Sequence, residues 1–354
     1  MMRLVCIYDK ITYKYKYMSA FSVYLHLKIC RIMQKPELTI VIPVFNAEKY
    51  ISQTVESILS QTFQDWQLVI VDDGSTDSTS AICQRYASAD PRIKVVRIDN
   101  SGPSAAKNLG ISLAEGSYIT FVDGDDEYGA VTTLEENMSI LRSDSSIDIL
   151  QFPYEQVSFK GRTKLRTPGH LGRIEGRSKV LSMIGENKIP GYLCHKIFKA
   201  EILNGKRLRE DMRLTEDLWF LIDVVLDGAV FYISDCGSYK YFQRQGSLTT
   251  NKTQVKEHQA LGTFMRLLDI LHAEPGVPVE VSAGQFMRTL SLIVNLNALF
   301  GEDTKEHMSR LRPYTPPAKI LLRPLRTSAK LKYILLRLTG YAHYVKFINW
   351  FRSV

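Results

Sequence analysis

The sequence predicts an α/β fold with a mostly parallel central sheet, plus a C-terminal helical extension. Three observations carry this expectation. From residue 38, short apolar β-rich runs alternate with helical patterns, the order of a parallel sheet covered on both faces. Acidic residues gather where those runs end, and open parallel sheets bind ligands beyond the carboxyl ends of their strands. From residue 252 onward the pattern is helical, with proline breaks at 275–278 and 313–317.

The elements follow in order. Residues 38–44 form a near-continuous buried-strand run, after which Asn46 is placed to cap a helix whose Ile51, Val55, Ile58 and Leu59 share one face. A strand over 66–71 leads into an Asp, Gly, Ser and Thr loop. Then come a helix over 78–86, a strand over 93–98, a helix over 104–114 and a strand over 118–122. A helix over 132–142 offers Thr132 and Glu135 as a capping box, and 147–152 resumes the sheet. Residues 158–176 read as a loop rich in Gly, Arg and Lys.

Composition narrows the classes. With 45% hydrophobic and 23% charged residues in 354, the chain is neither wholly disordered nor a polytopic membrane protein. It also lacks the run of about 18 apolar residues that would cross a bilayer. The five cysteines are scattered singly with no CxxC pair, which suits a reduced cytoplasmic setting. No compact secretory signal is evident. The net charge of +8 resides at the ends: ten Lys and Arg follow Glu306 without an acidic residue, and residues 1–34 carry six against Asp9. The body between them is net negative, which disfavours a nucleic-acid groove.

Neither a GxGxxG nor a GxxxxGK[ST] motif is present, so no glycine cradle holds phosphates and a metal is the economical alternative. In an extended backbone Asp123 and Asp125 point to the same side, and Mg²⁺ or Mn²⁺ held there would neutralise a departing diphosphate. The alternative is a solvated acidic turn. Asp72 is placed to accept from a nucleobase edge flanked by Pro43–Asn46, or else Asp72, Asp73 and Asp77 cap the following helix. Lys107 and Asn108 offer a cation and an amide to a diphosphate, or are ordinary helix residues. The histidines show no metal-ligand spacing.

The stretches IPVFNAEKYI, SILSQTF, VIVDDGSTDST, SGPSAAKNLG and YITFVDGDDEY, between Thr39 and Tyr128, resemble the family 2 glycosyltransferases. A looser likeness continues through CHKIFKAEIL, TEDLWF and YKYFQRQGSLT. Phe45 stands where Tyr is commoner, and Lys107 where Arg is frequent.

This resemblance implies a Rossmann-like A-type glycosyltransferase fold and inverting transfer from a nucleotide-diphospho-sugar, usually a UDP-sugar, to an acceptor hydroxyl. It implies that Pro43, Phe45, Asn46, Glu48 and Asp72 contact the nucleoside. The donor side would continue through Asp73, Lys107, Asp123 and Gly124, with Asp123 on the ribose or the metal and Asp125 the principal metal ligand. Arg244 and Ser247 would belong to a loop closing over the diphosphate. Asp217 would be the general base, with Glu216 its nearest competitor. The same residues also suit an ordinary helix N-terminus. His195 and Lys196 line the acceptor side or brace the sheet.

The expected organisation is an N-terminal extension over 1–34, either a start-site artefact or a peripheral segment, a glycosyltransferase catalytic domain over 35–250, and a helical region over 251–354. In the basic tail, Leu331, Ile334, Leu335, Leu338, Tyr341 and Val345 share one helical face. That face suits peripheral contact with the anionic inner leaflet, and hence a saccharide or lipid-linked saccharide acceptor in cell-envelope synthesis. Packing of the tail against the body is the competing arrangement. Rival functions are a nucleotidyltransferase and an inactive nucleotide-sugar-binding scaffold.

Overall fold

The computed structural model describes residues 35–166, 169–244 and 253–322, together with 334, 336, 340 and 344. The expectations for residues 1–34 lie outside the described residues, as do those for Ser247 and for the tail face apart from Ile334.

β1 (Leu38–Val44) and β2 (Trp66–Asp72) are wholly buried, as their continuous apolar runs require in the middle of a covered sheet. β3 (Ile93–Arg97) pairs with β2, and β4 (Tyr118–Phe121) returns to the other side of β1, all in parallel register. The strand order therefore reverses at β1 and β4, which opens a crevice beyond their carboxyl ends. α1 (Ile51–Leu59), α2 (Thr79–Ala89) and α3 (Pro103–Ser112) make the crossovers.

Beyond β4 the sheet ceases to be parallel. β10 (Lys196–Lys199) runs antiparallel between β4 and β6 (Ile149–Gln151), followed by β11 (Phe231–Ile233) and β9 (Gly172–Ile174). A second, four-stranded sheet joins β5 (Glu127–Tyr128), β12 (Tyr239–Phe242), β7 (Tyr154–Val157) and β8 (Thr163–Arg166). The segment expected as a loop over 158–176 thus contains β8 and β9. Exposed β8 has no apolar alternation to betray it.

Alternation along β1 divides the core. Leu38, Ile40, Ile42 and Val44 share a cluster with Ile51, Val55 and Ile58 of α1 and with Leu134, Met138 and Leu141 of α4 (Thr133–Ser143), and Val41 belongs to the opposite cluster. That second cluster gathers α5 (Arg177–Gly185), α6 (Glu216–Val225) and, from the C-terminal helices, Leu267, Leu271 and Val281. α7 (Gln254–Ala273), α8 (Val279–Phe300) and α9 (Lys305–Leu311) add their own apolar centre, so the helical region continues the core of the sheet. Leu336 and Tyr344 of the tail are buried in that centre while Ile334 is exposed, so these residues pack against the body.

Two expected caps do not form. Asn46 lies four residues ahead of the N-cap Tyr50, in a left-handed conformation, and its Oδ1 accepts from the Thr76 backbone N–H at 2.8 Å. It fastens the β1 loop to the β2 loop. Thr132 makes no side-chain cap, and Glu135 pairs instead with Arg142.

α3 approaches β1 so closely that a Cβ on Gly110 would lie 2.2 Å from Cγ1 of Val41. In an unpacked helix Ala is the better former by about 1 kcal/mol. Here a stiff β-branched neighbour on the central strand makes overpacking dominate. Gly110→Ala is expected to destabilise the protein by about 1–3 kcal/mol in denaturant unfolding; a gain in stability would refute the close packing.

Candidate active site

The crevice at the strand reversal is lined by the residues that follow β1 and β4. Gly124 is there because β1 leaves no room for a side chain: a Cβ would lie 2.8 Å from Cγ2 of Val44. Asp126 anchors the acidic turn. Its carboxylate accepts from the Tyr239 hydroxyl and the Phe242 N–H, both at 2.9 Å, while Tyr239 Oη accepts from the Asp123 N–H at 3.1 Å. Burial, together with Asp123 and Asp125 nearby, pushes Asp126 well above the usual carboxylate range. It is a structural member of the turn, held by β12.

Across the crevice stands Thr215, a β-branched residue at φ 65°, in the left-handed region such residues rarely occupy. α6 begins immediately after it, and Glu216 and Asp217 form its first turn, where the helix dipole favours anions. Lys107, in the middle of α3, donates from Nζ to Asp217 Oδ1 at 2.8 Å; the lysine side chain is 6% exposed and that of Asp217 21%.

One ammonium serves several carboxylates. Burial would lower the Lys107 pKa, but Asp217, Asp123 and Glu216 outweigh it and hold the group above its ordinary value. Asp123 is pushed up to about 6, by burial first, with Lys107 opposing and Asp217 and Asp125 adding. Glu216 is pushed up to about 7 by burial and the adjacent Asp217, against Lys107. Asp125 is raised by burial against the pull of Arg244, whose Nε donates to Asp125 Oδ2 at 3.0 Å. The Arg244 guanidinium lies 3.6 Å over the Tyr50 ring.

Asp123, Asp125, Glu216 and Asp217 thus outnumber the cations Lys107 and Arg244, an excess of negative charge that suits a hard divalent cation. If a divalent cation binds here, Asp123 and Asp125 are the residues that would hold it.

The nucleoside-side residues lie at the ends of β1 and β2. Phe45 is exposed, and Pro43 is buried within β1. Glu48 accepts from the Ser78 N–H at 3.0 Å. Asp72 is fully buried, receiving Ser75 N–H at 2.9 Å and the half-exposed Arg97 at 2.8 Å. Asp73 accepts from the Ser101 and Gly102 N–H groups and closes the start of α3. Asp77 binds the N–H groups of Thr79 and Glu48. Asn108 holds the Leu208 backbone rather than facing a ligand.

His195 and Lys196 are buried braces. Lys196 Nζ donates to the Pro190 and Tyr192 carbonyls at 2.8 and 2.5 Å, and burial pushes it down to about 7. The segment it holds presents Tyr192, 50% exposed, stacked on Tyr241 at 6.3 Å and close enough to Asp217 to sense its charge. Tyr192 escapes sequence reading because it lies in an irregular stretch. Its only signal is its place ahead of the CHKIF run.

The histidines show no metal-ligand spacing along the chain, yet packing brings two of them together. Among the described residues, His258, Glu302 and His307 bring ligand atoms within 4.8 Å of one another, although 44 residues separate the first two. Chain spacing is silent because the contact spans α7 and the turn after α8.

The sheet with its strand reversal, acidic rim and C-terminal helices is the A-type glycosyltransferase fold. Staphylococcus aureus TarS residues 1–349, in complex with UDP-GlcNAc, superposes with a TM-score of 0.67 at 19% identity, covering 90% of this chain and 92% of that one. Residues 39–198 match the model of glycosyl transferase family 2. The uncharacterized glycosyltransferase EpsJ of Bacillus subtilis is 28% identical over 219 residues, 60% of this chain and 63% of that protein. The minor teichoic acid biosynthesis protein GgaA of the same species is 30% identical over 216 residues, 58% of this chain and 47% of its own length. The matches therefore span less than two thirds of either relative.

The raised Asp123 pKa has a definite sign. Its stabilising contribution is present below the unfolded value of 3.8 and is lost as pH rises through about 6. In chelator, Asp123→Asn is expected to be more stable than the parent at pH 7.5, on the order of 1 kcal/mol after solvent screening, with the difference vanishing near pH 4. Thermal unfolding at both pH values checks this; a variant less stable at pH 7.5 would contradict it.

Proposed function

We propose that this protein is an inverting glycosyltransferase that moves a sugar from a nucleotide-diphospho-sugar, foremost a UDP-sugar, to an acceptor hydroxyl during synthesis of cell-surface polysaccharide or glycoconjugate. The observation that carries this reading is Lys107, buried among Asp123, Glu216 and Asp217 opposite the rim that bears Asp125. The fold shared with a UDP-GlcNAc complex and the likeness to a teichoic acid biosynthesis protein favour this donor and product class.

In this reading the nucleoside lies along Pro43, Phe45, Asn46 and Glu48, with Arg97, set by Asp72, alongside the base. Asp123 and Asp125 would hold a divalent cation, which would supply charge neutralisation for the leaving diphosphate. Arg244, planar and multiply donating, is suited to the same oxygens, and Ser247 follows it in the chain. Asp217 accepts the proton of the attacking hydroxyl; among the described residues Lys107 engages only its Oδ1. Lys107 holds the carboxylate in place and lowers the cost of gathering negative charge there. Tyr192 forms an aromatic wall against which an acceptor ring packs.

A second assignment of the base rests on Glu216, since a value of about 7 suits proton abstraction near neutrality. Among the described residues no helix is long and apolar enough to cross a membrane. Contact with an anionic leaflet would fall to the basic tail, in which Ile334 is exposed.

Asp217→Asn is expected to keep donor affinity while cutting transfer by at least about a hundredfold, and Asp125→Asn to remove metal-stimulated turnover. The readouts are donor titration and release of nucleoside diphosphate, with pyrophosphate release instead marking a nucleotidyltransferase. A larger loss in Glu216→Gln than in Asp217→Asn would transfer the base to Glu216. Tyr192→Ala should leave donor hydrolysis unchanged and raise the acceptor KM roughly fivefold, about 1 kcal/mol of stacking; an equal loss in hydrolysis would remove Tyr192 from the acceptor side.

A further inference from the structure

His258 stands in the first turns of α7, Glu302 in the turn after α8, and His307 in α9. Each histidine directs Nε2 at the same carboxylate: His258 to Oε2 and His307 to Oε1, both at 2.8 Å. Glu302 is itself positioned, because Gln254 Nε2 donates to its Oε2 at 3.0 Å and Asn297 Nδ2 to its backbone carbonyl at 2.7 Å. The side chains are partly shielded, with 16% exposure for Glu302, 18% for His307 and 39% for His258.

We propose that His258, Glu302 and His307 form a second metal site, for Zn²⁺, separate from the acidic rim of the sugar-transfer crevice. Two imidazole nitrogens with one carboxylate are the donor set of a borderline ion such as zinc, whereas magnesium and calcium favour oxygen-only sets. Tetrahedral zinc bonds of about 2.0–2.2 Å place ligand atoms roughly 3.4 Å apart. The three ligand atoms already lie within 4.8 Å of one another, so small side-chain rotations bring them into range. Both Nε2 atoms must present lone pairs to the ion, which displaces the protons they share with Glu302. Gln254 then serves as the outer partner that orients the carboxylate. A cavity of about 90 Å³, lined by His258, Leu261, Gly262, Met265, His307 and Arg310, adjoins the site and leaves the fourth position to water or a small anion.

The full-length protein, stripped with chelator and dialysed, is titrated with ZnCl₂ and separately with CoCl₂. One equivalent of zinc is expected, with a rise in Tm of roughly 5 °C at a hundredfold excess over Kd. Cobalt should give the intense visible bands of a tetrahedral centre. Both signals should be lost in His258→Ala and His307→Ala and retained in Asp125→Asn, with circular dichroism checking that each variant is folded. Absence of stoichiometric uptake, or uptake that survives in the His258→Ala, His307→Ala double variant, would overturn the proposal. Because the readouts are metal content, spectrum and Tm, they stand or fall independently of sugar transfer.

Discussion

The ion pair between Lys107 and Asp217 is the interaction on which the crevice depends. It joins α3, which crosses over between β3 and β4, to α6, which belongs to the less regular half. A buried lysine would lose its charge if left alone. Here Asp217, Asp123 and Glu216 oppose that loss, and the same ammonium limits their repulsion. Neither side is well placed without the other. Burial, with the neighbouring carboxylates adding to it, keeps Asp123 and Glu216 above their ordinary values despite that ammonium.

The half of the fold from β1 to β4 was legible because β1, β2 and β4 are clean apolar runs separated by helical patterns. Strand and helix periods leave little ambiguity there. The acidic turn was legible for the same reason, since Asp123 follows one of those runs directly. Beyond β6 the strands are three or four residues long, and β8 is fully exposed, so local pattern carries little information about them.

Caps and partners were harder. Asn46 suits a helix start by type but is diverted to Thr76, a contact created when the β1 and β2 loops meet. Asp73 follows the same logic, spent on the start of α3. The sequence alone left Asp72 and Lys107 between two roles; the geometry gives each, itself buried, a charged partner in Arg97 and Asp217 respectively. His258 and His307 looked unrelated for want of any local spacing, and only helix packing brings them to Glu302.

Asp126 ties the acidic turn to Tyr239 and Phe242, and two residues after Phe242 stands Arg244, which returns to Asp125. The turn that leaves β4 and the end of β12 are therefore laced together at both flanks. A cation or phosphate that shifts Asp125 has to move against the arginine as well as against the turn.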